Sequence, residues 1–178
     1  MNKIFYWSPF TTSKIATVKA VINSAGSLNK FFKNNQFQTS IIDAVHEWRD
    51  FEDEIKEKKI ELIYLNKNSS FNSFKKDGFV RSRFAYFYIF FKSFFPLIKI
   101  LKEKKPDYLI IHLITSLPLF LFVFKNFQTR LILRISGLPK MTFFRKLLWK
   151  LAVKNIYKIT CPTFGTYKNL SKFEFLKE

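Results

Sequence analysis

Apolar residues along this chain fall into two alternating patterns: short dense runs, and longer stretches where they recur every three or four positions. Residues 3–8 form a dense run of Ile and aromatics closed by Pro9, which predicts a buried first strand. Ile15, Val18, Ile22, Ala25, Leu28 and Phe32 then recur at helical spacing, with Lys14, Lys19, Asn23 and Lys30 mostly on other faces. Gly26 costs this helix about 1 kcal/mol relative to Ala. Residues 38–45 and 60–65 predict two more strands around a mixed Glu/Lys segment, 47–59, expected to be a solvated surface helix. A polar loop follows to about residue 76. Residues 81–105 predict a long aromatic helix stopped by Pro106-Asp107. The remainder predicts strands at 108–113, 129–135 and 157–161, and helices at 117–124, at 142–154 and from Thr163 onward.

This alternation predicts an α/β fold. Its apolar runs suit a doubly wound, mainly parallel Rossmann-like sheet covered on both faces, and residues 1–178 make one such domain. Four Gly and six Pro leave no flexible linker inside it.

Charge changes the picture. Lys and Arg number 31 against 13 Asp and Glu, a formal +18 that favours an anionic partner, part of it being the Lys-rich bias of AT-rich codons. Cys161 is alone and the only histidines are His46 and His112, so neither a disulfide nor a Cys/His metal cluster is expected. The N-terminal apolar stretch, 4–7, is too short for a signal peptide, so a cytoplasmic location is expected. A spanning helix needs about 20 apolar residues. Residues 84–101 carry Lys92, Pro96 and Lys99, and 108–124 contain His112, Thr115, Ser116 and Pro118, so the latter reads as strand, loop and short helix.

In a doubly wound sheet, ligands bind beyond the carboxyl ends of the strands. The first loop has neither G-x-G-x-x-G nor a P-loop, but Thr11, Thr12 and Ser13 are placed to hold an anion or sugar hydroxyl, or simply to cap the helix. His112 ends one predicted strand, and Ser136-Gly137 follow Arg134 at the end of another. These five residues, Thr12, Ser13, His112, Ser136 and Gly137, are the cleft candidates. The helix after Thr142 is amphipathic, with Phe144, Leu147, Leu148 and Leu151 expected inward and Arg145, Lys146, Trp149 and Lys150 expected outward. A Trp among cations suits a membrane interface, and Lys92 and Lys99 extend that basic character to the long helix. The expected location is peripheral, on the inner face of an anionic membrane.

Several segments together resemble a known family. They are Ser8-Pro9-Phe10, Ala16-Thr17-Val18, Pro106-Asp107-Tyr108-Leu109-Ile110-Ile111-His112, Leu131-Ile132-Leu133-Arg134-Ile135-Ser136-Gly137 and Ile159-Thr160-Cys161-Pro162-Thr163. The chain resembles the N-terminal, acceptor-side domain of retaining, family-four-type GT-B glycosyltransferases. The resemblance implies sugar transfer from a nucleotide-sugar substrate, without cofactor or metal, to a lipid-linked or cell-surface glycan acceptor. It departs from the family pattern in two places. Ser13-Lys14-Ile15-Ala16 stands where Gly-Gly is frequent, and Ser136 where a His usually precedes the Gly. The C-terminal donor-binding half is expected to be absent, leaving this chain inactive alone and in need of a separate partner half. Catalytic residues remain unassigned. A nucleic-acid-binding protein is the alternative that the charge supports, but no helix-turn-helix, zinc-finger, RNP or KH signature appears, and nucleic acid is the less favoured partner. A small membrane-associated protein is the other.

Overall fold

The computed structural model describes residues 1–11, 16–31, 36–66 and 79–176. Six strands form one sheet: β1 (Asn2–Trp7), β2 (Phe37–Asp43), β3 (Glu61–Tyr64), β4 (Tyr108–Ile111), β5 (Arg130–Arg134) and β6 (Ile156–Thr160). Their order is β3-β2-β1-β4-β5-β6 and every pairing is parallel. The helices are α1 (Ala16–Phe31), α2 (Glu52–Glu57), α3 (Phe79–Lys104), α4 (Ser116–Phe124), α5 (Phe143–Ala152) and α6 (Phe164–Leu170). This is the doubly wound Rossmann-like fold, with the direction of winding reversed between β1 and β4.

Strand alternation divides the core between the two sheet faces. Ile4, Tyr6 and Ile41 pack with Val18, Val21, Ile22 and Ala25 of α1 and Ile55 of α2. Phe5, Trp7, Ile42, Leu109, Ile111, Leu131 and Leu133 pack with α3, α4 and α5. The central strand β1 is buried on both faces from Ile4 onward, which explains its unbroken apolar run. The edge strand β6 instead exposes Tyr157 and Lys158, a charge that discourages further pairing. The α1/α2 face is not covered evenly. Tyr108, Ile110 and Ile132 are only partly buried, and Arg130 sits over the rings of Tyr108 and Tyr157 at 5.7 and 5.2 Å.

Three local readings are corrected. Segment 47–59 is not one solvated helix: a 3₁₀ turn, Arg49–Phe51, precedes α2. Glu47 is buried, because its carboxylate closes the loop after β2 by accepting from the Ala44 and Val45 N–H groups at 3.1 and 2.7 Å. Burial, and then Asp43 beside it, push the Glu47 carboxyl well above its ordinary range.

The second correction concerns which side chains of α5 meet the sheet. Trp149 and Ala152 are buried against the core, while Phe143, Phe144, Leu147 and Leu151 are exposed. Trp149 is therefore not a membrane contact, whereas Arg145, Lys146 and Lys150 are exposed as expected. Helical spacing identifies two faces but not which one meets the sheet. The largest ring on α5, Trp149, buries more area than a leucine and takes the core side.

The third concerns Gly26. A side chain there would come within 2.9 Å of Lys58, so the glycine admits the Lys58 stem against α1.

The long helix α3 runs through Pro96. Proline has no N–H to offer the carbonyl four residues earlier, that of Lys92. Asn66 Nδ2 donates to that carbonyl at 3.3 Å and to the Ala44 carbonyl at 2.7 Å, tying α3 to the loop after β2. Within α3, Arg83–Lys104 is long and apolar enough to cross a membrane, with 28% of its apolar 18-residue window buried inside the domain. Segment 108–124 is instead divided into β4 and α4.

Candidate functional site

The carboxyl ends of β1 and β4 are where the loops diverge, and two adjoining cavities of about 450 and 570 Å³ open there. They share Tyr86, Phe87, Leu113 and Ile114. The smaller is walled by Pro9, Phe10 and Thr11 from the β1 loop and by Arg83 of α3. The larger adds His112, Arg134, Ser136, Gly137, Thr142 and Arg145.

The floor is held by the backbone. His112 N donates to the Trp7 carbonyl at 2.9 Å, which extends the β1–β4 ladder by one residue. The Trp7 indole N–H donates to the Ile114 carbonyl at 3.0 Å, fixing the turn where Ile114 has a φ of 45°. The indole thus packs in the core and also anchors the loop that carries the site.

His112 is 8% exposed and its Nδ1 has no hydrogen-bond partner among the described residues. Burial, and then the positive charge of Arg134, lower its pKa to about 4, so the imidazole is neutral near pH 7 and one ring nitrogen is an acceptor. Among the described residues, the cleft lining contains Arg83, Arg134 and Arg145 and no Asp or Glu. Arg145 Nη1 is braced by the Lys140 carbonyl at 2.8 Å. Thr115 and Ser116 at the start of α4, and Thr142 at the start of α5, also line the cleft, so both helices turn their N-terminal ends toward it. Neither Thr115 nor Thr142 caps its helix through its side chain. Unsatisfied first-turn N–H groups and the positive dipole end add to the arginines in favouring an anion. Ser116 and Tyr86 hydrogen-bond to each other, joining α4 to α3 across the cleft.

Three of the sequence candidates, His112, Ser136 and Gly137, therefore come together. Gly137 has open space where a side chain would project, so the packing does not demand a glycine there. Thr12 and Ser13 lie outside the described residues. The sequence reading missed Arg134 and Arg145 as cleft residues, and Tyr86 and Phe87 altogether. A charged residue closing an apolar strand was a usable signal for Arg134, but nothing local marks Tyr86, which reaches the site from a helix elsewhere in the chain. Among the described residues, no three His, Cys, Asp or Glu side chains converge as a metal site would require.

No protein-family model and no curated protein matches the sequence. Among solved structures, the UDP-GlcNAc 2-epimerase from Neisseria meningitidis bound to UDP-GlcNAc superposes on 98% of this chain, with a TM-score of 0.60 and 15% identity. At that identity the likeness shows the Rossmann-like fold alone, shared with a GT-B-type enzyme. The chain spans 44% of the epimerase's length. The likeness does not single out the family-four branch.

Proposed function

We propose that this chain is the acceptor-side half of a GT-B glycosyltransferase that moves a sugar from a nucleotide-sugar donor to a lipid-linked or cell-surface glycan acceptor. The observation that carries this reading is the switch-point cleft, where a neutral histidine shares the lining with Arg134 and Arg145 and, among the described residues, with no carboxylate. In such a transfer the bond from the sugar C1 to the donor phosphate breaks and one from C1 to the acceptor oxygen forms. The acceptor hydroxyl's proton passes to the phosphate oxygen that loses C1 and from there to solvent, and the nucleoside diphosphate leaves with added negative charge. Before transfer, a ring nitrogen of His112 accepts a hydrogen bond from the acceptor hydroxyl. Arg134, Arg145 and the α4 and α5 N-termini offset negative charge on phosphate. The donor is held by a second α/β unit facing this cleft.

The test is a titration of ¹⁵N-labelled protein with a short-chain polyprenyl phosphate and, separately, with UDP-GlcNAc. The amides of His112, Ser136 and Gly137 should shift with the polyprenyl phosphate, and Arg134→Ala should weaken binding on the order of tenfold. If neither compound moves these amides, the cleft assignment fails. A second reading, a nucleotide-sugar-binding half of an epimerase-type enzyme, is favoured by the likeness to the epimerase. Its expected result is binding of UDP-GlcNAc in the cleft with no effect of the lipid. The +18 charge also favours the nucleic-acid alternative, whose signature is DNA binding that weakens steeply with salt.

A further inference from the structure

The α3 helix has two apolar sides. Ala85, Ile89, Leu97 and Leu101 are buried against the sheet. Phe84, Phe87, Phe91 and Phe95, spaced three and four apart, form an outer ridge with exposures of 57 to 75%. Phe124 at the end of α4 is 63% exposed and packs on Phe120, which in turn meets Phe90 and Phe94, so the ridge continues onto α4. Contiguous exposed rings of this kind mark a contact surface rather than incidental exposure.

We propose that this ridge docks on an anionic phospholipid bilayer and sets the mouth of the switch-point cleft at the lipid surface. Three observations select the occupant. The exposed charges along and beside the ridge are mostly cations, Lys92, Lys99, Lys102 and Lys125, with Glu103 paired to Lys99. Lysines flanking exposed rings match anionic headgroups above acyl chains. A second copy of a chain carrying a formal +18 would bring like charges together at the same face. The buried row on α3 ties the helix along the domain, so it lies in the interface plane instead of crossing it.

The ridge also runs into the site, because Phe87 lines both cavities. An amphiphile with a phosphate head and an apolar tail therefore reaches Arg134 and His112 without leaving the bilayer. This delivery rests on the proposed function, whereas docking rests on the ridge alone.

The native tryptophans, Trp7, Trp48 and Trp149, are all buried. Phe91→Trp therefore installs a single exposed reporter on the ridge. Its emission should shift to the blue, and brominated lipid should quench it, when phosphatidylcholine vesicles containing phosphatidylglycerol are added. Phosphatidylcholine alone should do neither. In flotation with the mixed vesicles, Phe91→Glu/Phe95→Glu should bind on the order of tenfold more weakly or worse, and Phe164→Glu on α6 should bind as wild type. Four results would overturn the docking: an unmoved reporter, undiminished flotation of the double variant, resistance to carbonate extraction, or a dimer that the double variant dissociates in place of vesicle binding. No substrate is present in these assays, so their failure is separate from that of the acceptor titration.

Discussion

The two longest helices, α1 and α3, lie on opposite faces of the sheet and treat their outer surfaces differently. Outside its buried row of Val18, Val21, Ile22 and Ala25, α1 presents Lys19, Asn23, Ser27 and Lys30 to solvent. Opposite its own buried row, α3 presents phenylalanines. One apolar stripe is enough to hold a helix on a sheet. A second stripe adds nothing to folding and leaves apolar area in water, so its presence on α3 and absence from α1 separates a packing element from one built for contact.

Substitutions that reach the two buried rows should have the largest effect and should not distinguish the helices. Ile22→Ala and Ile89→Ala, both fully buried, should each cost about 2–5 kcal/mol in denaturant unfolding. A markedly smaller loss at Ile89 would mean that α3 is not seated as described. Next in size, Asn66→Ala strands the Ala44 and Lys92 carbonyls and should cost about 1–3 kcal/mol. This penalty has no counterpart on α1, which has no internal proline.

The pH dependence sharpens the contrast between loops at the same sheet edge. His112 is held neutral, with a pKa near 4 against an ordinary 6.5. Its contribution to stability is complete above pH 6.5 and is lost as pH falls toward 4. Glu47 is shifted up from 4.5, so its contribution is complete below that pH and is lost as pH rises through the raised value. In urea midpoints measured across pH, His112→Gln should lack the acid-side decline and Glu47→Gln the decline on raising pH. If either variant tracks wild type, that residue's burial is misassigned. The smallest effect belongs to the ridge itself: Phe91→Ser should change stability by no more than about 0.5 kcal/mol, since the ring is 70% exposed. A larger loss would make the ridge part of the fold.

Most strands were legible from the chain alone, because a sheet buried on both faces demands dense apolar runs. The predicted strands at 108–113 and 129–135 contain β4 and β5, and 157–161 is displaced by one residue from β6. His112, Ser136 and Gly137 were legible as strand-end residues because the site rule for this fold depends on topology. Glu47 was not, since a buried carboxylate and a solvated one look alike beside lysines. The outward side of α5 was hidden for a related reason: periodicity is symmetric, and only the sheet decides which face is inside.

By itself the sequence determined the alternation of strands and helices, the parallel α/β class, the excess positive charge and the aromatic character of α3. These follow from local periodicity and composition, which need no partner to be expressed. Tertiary structure alone decided that Tyr86 and Phe87 meet His112 and Arg134, that Trp149 turns inward, and that four phenylalanines remain outside. Each of these depends on which surfaces are brought together across the chain, and hydrophobic burial is settled by that contact rather than by the identity of the side chain.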